Sequence, residues 1–131
     1  MKAITVQQPW AECIAASAKL IENRSRPLSH RGPIAIHAGM RSSDRGYADP
    51  RVGPLLEGDG FDRTKIHGAV IAVAQLVDCH SAAGCCKPWG DDTYAGRNVY
   101  HLVLEDVRRV IPAIPASGRL GLWTLDDRLV P

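Results

Sequence analysis

The chain has 131 residues, 45% of them hydrophobic and 23% charged, and a formal charge of +2. This composition fits one globular domain, 1–131, and excludes the disordered, fibrous and low-complexity classes. No apolar run approaches the roughly 20 residues that span a bilayer, and the N-terminal Met-Lys-Ala-Ile-Thr-Val lacks the apolar core of a secretory signal, so a cytoplasmic location and no membrane partner are expected.

Ala3 to Val6 are β-prone and run into Gln8-Pro9, where proline removes a backbone donor. A strand and then a turn are expected. From Trp10 the residues Trp10, Cys13 and Ile14 fall at helical spacing, which predicts a helix of about ten residues. Beyond Lys19 an extended segment runs to Pro27; as a strand it places Leu20, Glu22, Arg24 and Arg26 on one face and Ile21, Asn23 and Ser25 on the other. After a Ser-His-Arg-Gly-Pro turn, Ile34 to His37 form a short strand closed by Gly39. Residues 40–66 are polar and aperiodic, a surface excursion with one or two helical turns and a short helix within Pro50 to Glu57.

His67 to Asp78 is apolar on both parities, the pattern of a central strand covered on both faces or of a barrel wall. Cys79 to Asn98 is a second long connection, and Val99 to Leu104 alternates as a strand. Pro112 and Pro115 make 107–116 an edge or linking segment, and Gly118 to Leu125 ends the fold. Five to six strands with peripheral helices predict a mainly β, α+β domain, most simply a small closed or nearly closed barrel.

Charge is unevenly spread. Residues 19–45 hold six Lys or Arg against two acids, a local balance of +4 on an otherwise slightly acidic chain. Such a basic face can hold a polyanion although the total charge is small. Lys19, Arg24 and Arg26 are cationic donors suited to phosphate, with Arg31 and His37 close by in sequence. Glu22 among them is either an orienting partner or an acceptor for a base edge. Trp10 is either core or a stacking surface for a base.

Lys19-x-x-Glu22-x-Arg24 resembles the signature of the ASCH domain family (activating signal cointegrator homology), part of the PUA-like superfamily, whose pattern is Gly-x-Lys-x-x-Glu-x-Arg. Ser17 stands where that glycine usually is, which suggests a less demanding backbone turn or a slightly altered cleft rim. Gln8-Pro9-Trp10, Ser25, His30-Arg31-Gly32, Leu76-Val77-Asp78-Cys79 and Leu122-Trp123-Thr124-Leu125-Asp126 extend the resemblance over most of the chain. It implies a PUA-like β-barrel with a cleft lined by the motif residues. It also implies binding of RNA or single-stranded nucleic acid, with DNA or a modified nucleoside as further ligands, through Gln8, Trp10, Lys19, Glu22, Arg24, Arg26, Arg31 and His37. Very small ASCH proteins hydrolyse N4-acetylcytidine with a Lys, Thr and Glu set, and ribonuclease activity is attributed to the family. If this chain were such an enzyme, Lys19 and Glu22 would be its catalytic pair, although Glu22 occupies the threonine position.

Four cysteines in a chain expected to be cytoplasmic are expected to stay reduced. Asp78, Cys79, His80, Cys85 and Cys86 offer potential metal ligands within nine positions. Zinc sites usually use separated pairs, and adjacent Cys85 and Cys86 do not easily both reach one tetrahedral ion. No metal and no cofactor are therefore expected, and the cysteines read as small buried hydrophobes with Trp89 packed beside them. Asp91, Asp92 and Tyr94 are candidates for the far rim of the cleft.

Overall fold

The computed structural model describes residues 1–129. Strand β1 (Lys2–Gln8) ends at Pro9, and helix α1 (Trp10–Ala15) follows at once. The helix is six residues long, shorter than its apolar spacing predicts, because the chain turns left-handed at Ser17 (φ 61). The amides of Ala18 and Lys19 both fold back onto the Cys13 carbonyl, at 3.1 and 3.0 Å. Short isolated helices are marginal, so α1 depends on burying Ala11, Cys13 and Ile14. Glu12 adds a bidentate ion pair to Arg109, at 2.6 and 2.8 Å, that clamps the helix to the sheet.

Next come β2 (Ile21–Arg24) and β3 (Gly32–Ser42). β3 continues past Gly39, because Gly39 is buried within the sheet and approaches the Thr5 side chain so closely that a Cβ there would lie 2.8 Å from it. The excursion carries α2 (Asp44–Ala48), a 3-10 turn at Gly53–Leu56 and α3 (Gly60–Arg63). Then follow β4 (Ala69–Ser81), the two-residue strands β5 (Thr93–Tyr94) and β6 (Arg97–Asn98), β7 (Tyr100–Pro115) and β8 (Trp123–Thr124), with a 3-10 turn at Asp127–Leu129. The expected edge segment 107–116 is the second half of β7. It tolerates proline because β2 covers only Tyr100–Val103, and because Pro112 lies where the β4–β7 register jumps from Val70 to Ala72.

Six strands form one mixed sheet in the order β2-β7-β4-β3-β1-β8, with β1 and β3 parallel; β5 and β6 make a separate hairpin. The sheet is not closed into the expected barrel. β2 stops after four residues, and β1 gives its free edge to β8 only at Lys2 and Ala3. Yet β2 and β1, four places apart in the sheet, approach closely enough for Arg24 Nη1 to donate to the Thr5 carbonyl at 3.1 Å. The sheet curls almost into a barrel and leaves a seam that side chains bridge in place of a backbone ladder.

The main core fills the concave side, where Ile4, Ile36, Leu76, Leu102 and Leu104 pack against Ile14 of α1. A smaller cluster on the opposite side joins Ala3, Ala35 and Val70 to Trp123 and Leu125 of the C-terminal tail. β4 is covered on both faces along its first half, as its continuous apolar run predicts. No helix among the described residues is long and apolar enough to cross a membrane.

Candidate functional site: the cleft at the open seam

A cleft of about 1150 Å³ occupies the seam, with Thr5 to Gln7 of β1 on one side and Glu22 to Arg24 of β2 on the other. Its floor is the motif. Lys19 is 3% exposed and Glu22 7% exposed. Lys19 Nζ donates to the Ile21 carbonyl at 2.5 Å and lies 3.3 Å from Glu22 Oε1. The other carboxylate oxygen, Oε2, is 3.4 Å from Arg24 Nη1. Both oxygens of Glu22 are thus held, one by each cation of the motif, and its role here is that of an orienting partner. The side chain of Arg24 is the part of the motif that reaches solvent.

Two indoles stand over this floor. Trp10 is half-buried on the cleft wall, with Lys19 Nζ 5.5 Å from its ring centre. Trp89 meets it edge to face at 6.3 Å, and Arg51 lies over Trp89 at 4.5 Å. The 82–98 loop reaches the cleft because Asn23 of β2 grips it twice. Asn23 Nδ2 donates to the Trp89 carbonyl at 3.0 Å, and its Oδ1 accepts from the Asp91 amide at 2.9 Å. Trp89, read from the sequence as packing beside the cysteines, is therefore cleft wall. Asp91 and Tyr94 line the cleft as well, while Asp92 pairs outside it with Lys87.

The remaining sequence candidates separate. His37 lines the cleft but is buried, its Nε2 2.6 Å from the Ala116 carbonyl. That bond assigns the ring proton to Nε2 and leaves Nδ1, 3.3 Å from the Thr5 hydroxyl, as an acceptor. Gln8 is fully buried and holds backbone: its Oε1 accepts from the Glu12 amide and its Nε2 donates to the Ile66 carbonyl. Its neighbour Gln7 faces the cleft, as strand alternation requires. Arg26 lies beyond the end of β2 and is exposed, not cleft-lining. Arg31 is spent on the Leu28 and His30 carbonyls on another face.

The sequence reading missed most of the basic rim. Arg45 and Arg51 come from the excursion, Arg41 from the end of β3, Arg97 from the β5–β6 hairpin and Arg119 from the C-terminal tail. Seven cationic side chains line the cleft against the two carboxylates of Glu22 and Asp91. Arg45 pairs with Asp91 at 3.6 Å, and Arg51 pairs with Asp49. That partnership holds the Asp49 carboxyl below its ordinary range, chiefly through the guanidinium hydrogen bond. Arg41, Arg97 and Arg119 pair with no acid among the described residues.

Outside the cleft, the start of the 82–98 loop brings four ligand-type side chains together. His80, Cys85, Cys86 and His101 place one donor atom each within 4.8 Å of one another. The Cys85 thiol is drawn down to about 6, most by the Ala83 backbone amide and next by His80. Burial pushes Cys86 up, and its bonded partners Cys85 and Asp78 push His80 up. Cys79, grouped with them in the sequence reading, instead accepts from the Leu28 amide at 3.4 Å.

A curled mixed sheet with short peripheral helices and a basic cleft at its seam is an α+β fold, consistent with the PUA-like architecture that the motif's resemblance implies. Comparison with solved structures narrows the class. An ASCH protein from Zymomonas mobilis superposes with a TM-score of 0.59 and 16% identity, covering 97% of this chain and 88% of its own. A variant of the same protein gives 0.59 and 17%, covering 95% and 89%. In sequence, Activating signal cointegrator 1 of Mus musculus is 24% identical over 130 residues and that of Homo sapiens 23% over 130. These matches cover 96% of this chain but 22% of the relatives, so the chain spans about a fifth of the length of the curated proteins it matches. No protein-family model matches the chain. The chain is thus similar in fold to ASCH proteins and in sequence to Activating signal cointegrator 1, in line with the ASCH resemblance of the motif and its flanks.

Proposed function

We propose that the cleft binds nucleic acid, RNA or another single strand, as the ASCH and PUA-like resemblance leads one to expect. The observation that carries the reading is the coincidence, in one cleft, of two indole faces with Arg41, Arg97 and Arg119, which have no acidic partner among the described residues. Unpaired arginines offer planar forks to phosphate. Indoles stack on bases with little sequence preference, at ~1–3 kcal/mol per base. Lys19 and Glu22 serve as the buried frame that sets Arg24 and Trp10 in place.

Anisotropy of a labelled single-stranded RNA, repeated with single-stranded DNA and duplex over a salt series, tests this. Changing Arg41, Arg97 and Arg119 together to Gln is expected to weaken RNA binding roughly tenfold or more at low salt and to flatten the log–log salt slope by about 2. All three are exposed, so the fold should survive. Absence of binding at low salt, or an unaltered slope in the variant, refutes the reading.

One observation favours a second reading, a hydrolase acting on a modified nucleoside or on RNA. Thr5 and His37 form a hydroxyl–imidazole pair in the same cleft, with Trp123 Nε1 donating to the hydroxyl at 3.1 Å. Such a pair is the arrangement by which a base activates a nucleophile. Release of cytidine from N4-acetylcytidine, or cleavage of labelled RNA, that is lost in Thr5→Val selects this reading; inertness toward both leaves a binding module.

A further inference from the structure

We propose that His80, Cys85, Cys86 and His101 form a closed Cys2His2 site for zinc that staples the 82–98 loop onto the sheet. The fold builds three sides of it. β4 and β7 place His80 and His101 directly opposite each other in register, with ring centres 5.4 Å apart. The loop then returns Cys85 and Cys86 over this pair. The objection that adjacent cysteines point apart is met by the backbone: Cys86 takes φ 64, and this left-handed step lets both thiols converge.

Three sulfur–nitrogen distances in the cluster are near those of a tetrahedral site, and the four ligand atoms, all within 4.8 Å of one another, would draw in slightly around the ion. Zinc–sulfur bonds of about 2.3 Å and zinc–nitrogen bonds of about 2.05 Å give sulfur–nitrogen edges of roughly 3.6 Å. Here Cys86 Sγ and Cys85 Sγ lie 3.4 and 3.5 Å from His80 Nε2, and Cys85 Sγ lies 3.8 Å from His101 Nδ1.

The outer bonds are also those of a metal site, since a ligating histidine normally gives its other ring N–H to a carboxylate or carbonyl. His80 Nδ1 is 3.1 Å from Asp78 Oδ2, and His101 Nε2 is 2.7 Å from the Asp91 carbonyl. Each bond fixes the tautomer that turns the remaining nitrogen toward the thiols. Gly90 closes over the cluster, where a Cβ would sit 2.8 Å from both Cys86 Cβ and His101 Cε1.

Two thiolates and two neutral imidazoles select a soft, tetrahedral ion, and together they balance the charge of one Zn²⁺. On binding, two S–Zn and two N–Zn bonds form, and the protons still carried by the two sulfurs and two metal-facing ring nitrogens pass to solvent. Four protein ligands leave no open position, so the ion is structural, not catalytic. Its effect reaches the cleft mechanically, because the stapled loop carries Trp89 and Asp91.

The test uses the full chain purified under reducing conditions, with zinc measured by elemental analysis. The zinc is then removed by chelator, and the apo protein is titrated with Co²⁺ as a spectroscopic probe. One equivalent of zinc per chain is expected, with thiolate-to-cobalt charge transfer and the intense visible bands of a tetrahedral site. Cys86→Ser should lose the tight equivalent while Cys79→Ser keeps it. Should Cys86→Ser fail to fold, the cobalt spectrum of the unsubstituted chain decides the question by itself. Amide exchange across residues 82–98 should rise on the order of tenfold or more when zinc is removed. A chain that holds no zinc and gives no tetrahedral cobalt spectrum overturns the site, as does metal retained undiminished by folded Cys86→Ser. Unchanged loop exchange after chelation overturns the staple. All of these readouts are independent of nucleic-acid binding.

Discussion

Lys19 illustrates how a residue chosen for its charge turns out to be set by its burial. Its Nζ is enclosed by the Ile21 carbonyl, Glu22 and the Trp10 ring, so its first task is to keep a buried carboxylate paired. Removing one partner of such a pair leaves the other charge uncompensated, whereas removing both does not. Lys19→Ala is therefore expected to destabilise the domain by about 3 kcal/mol in urea unfolding. The double change of Lys19→Met with Glu22→Gln should lose clearly less than the two single changes added together. Additive losses would show that the pair contributes nothing as a pair. For the same reason the exposed rim arginines, and not Lys19, are the positions at which a loss of ligand binding can be separated from a loss of fold.

Among the elements, the turn from α1 into β2 aims the motif. Ser17 stands at the motif's usual glycine, and the sequence suggested that the turn had become less demanding. The backbone says otherwise: Ser17 keeps the left-handed φ of 61 that glycine adopts freely and other L-residues adopt at a penalty. Its side chain is exposed, so nothing is lost from packing on truncation. Ser17→Gly should thus raise stability, by up to about 1 kcal/mol, seen as a higher thermal midpoint. A lower midpoint would mean that the serine hydroxyl holds the turn together. The excursion between β3 and β4 has the complementary lesson. Its short helical pieces bury little, yet they bring Arg45 and Arg51 to the cleft.

Across the whole molecule, stability is tied to pH through the core. Burial pushes the Cys13 thiol up to about 11 from an ordinary 9.0. Between those values the unfolded chain releases the thiol proton and the folded chain keeps it, so the native state binds more protons and stability falls as pH rises. The contribution is complete below pH 9.0 and disappears through about 11. The slope is at most about 1.4 kcal/mol per pH unit. Thermal midpoints measured from pH 8 to 11 should fall faster for this chain than for Cys13→Ala, whose absolute stability is lower but whose alkaline slope lacks this component. Parallel slopes would remove Cys13 from the account.

The sequence by itself determined the mainly β class, the central buried strand, the presence of a helix from Trp10 and the Lys19–Glu22–Arg24 motif. Each of these rests on local alternation, on proline's missing donor or on fixed spacing within one segment. Closure of the sheet was decided by the tertiary structure, because whether β1 and β2 share a ladder depends on strand lengths and on the buried Lys19 and Glu22 and the half-buried Trp10 that occupy the seam. Gln8 and Gln7 show the same limit at single residues: alternation says that they face opposite ways, and only packing says which one meets the cleft. The rim of Arg41, Arg97 and Arg119 and the His80–Cys85–Cys86–His101 cluster lie further from sequence inference still. Their members come from segments up to 78 positions apart, and the β4–β7 register and the return of the loop bring them together.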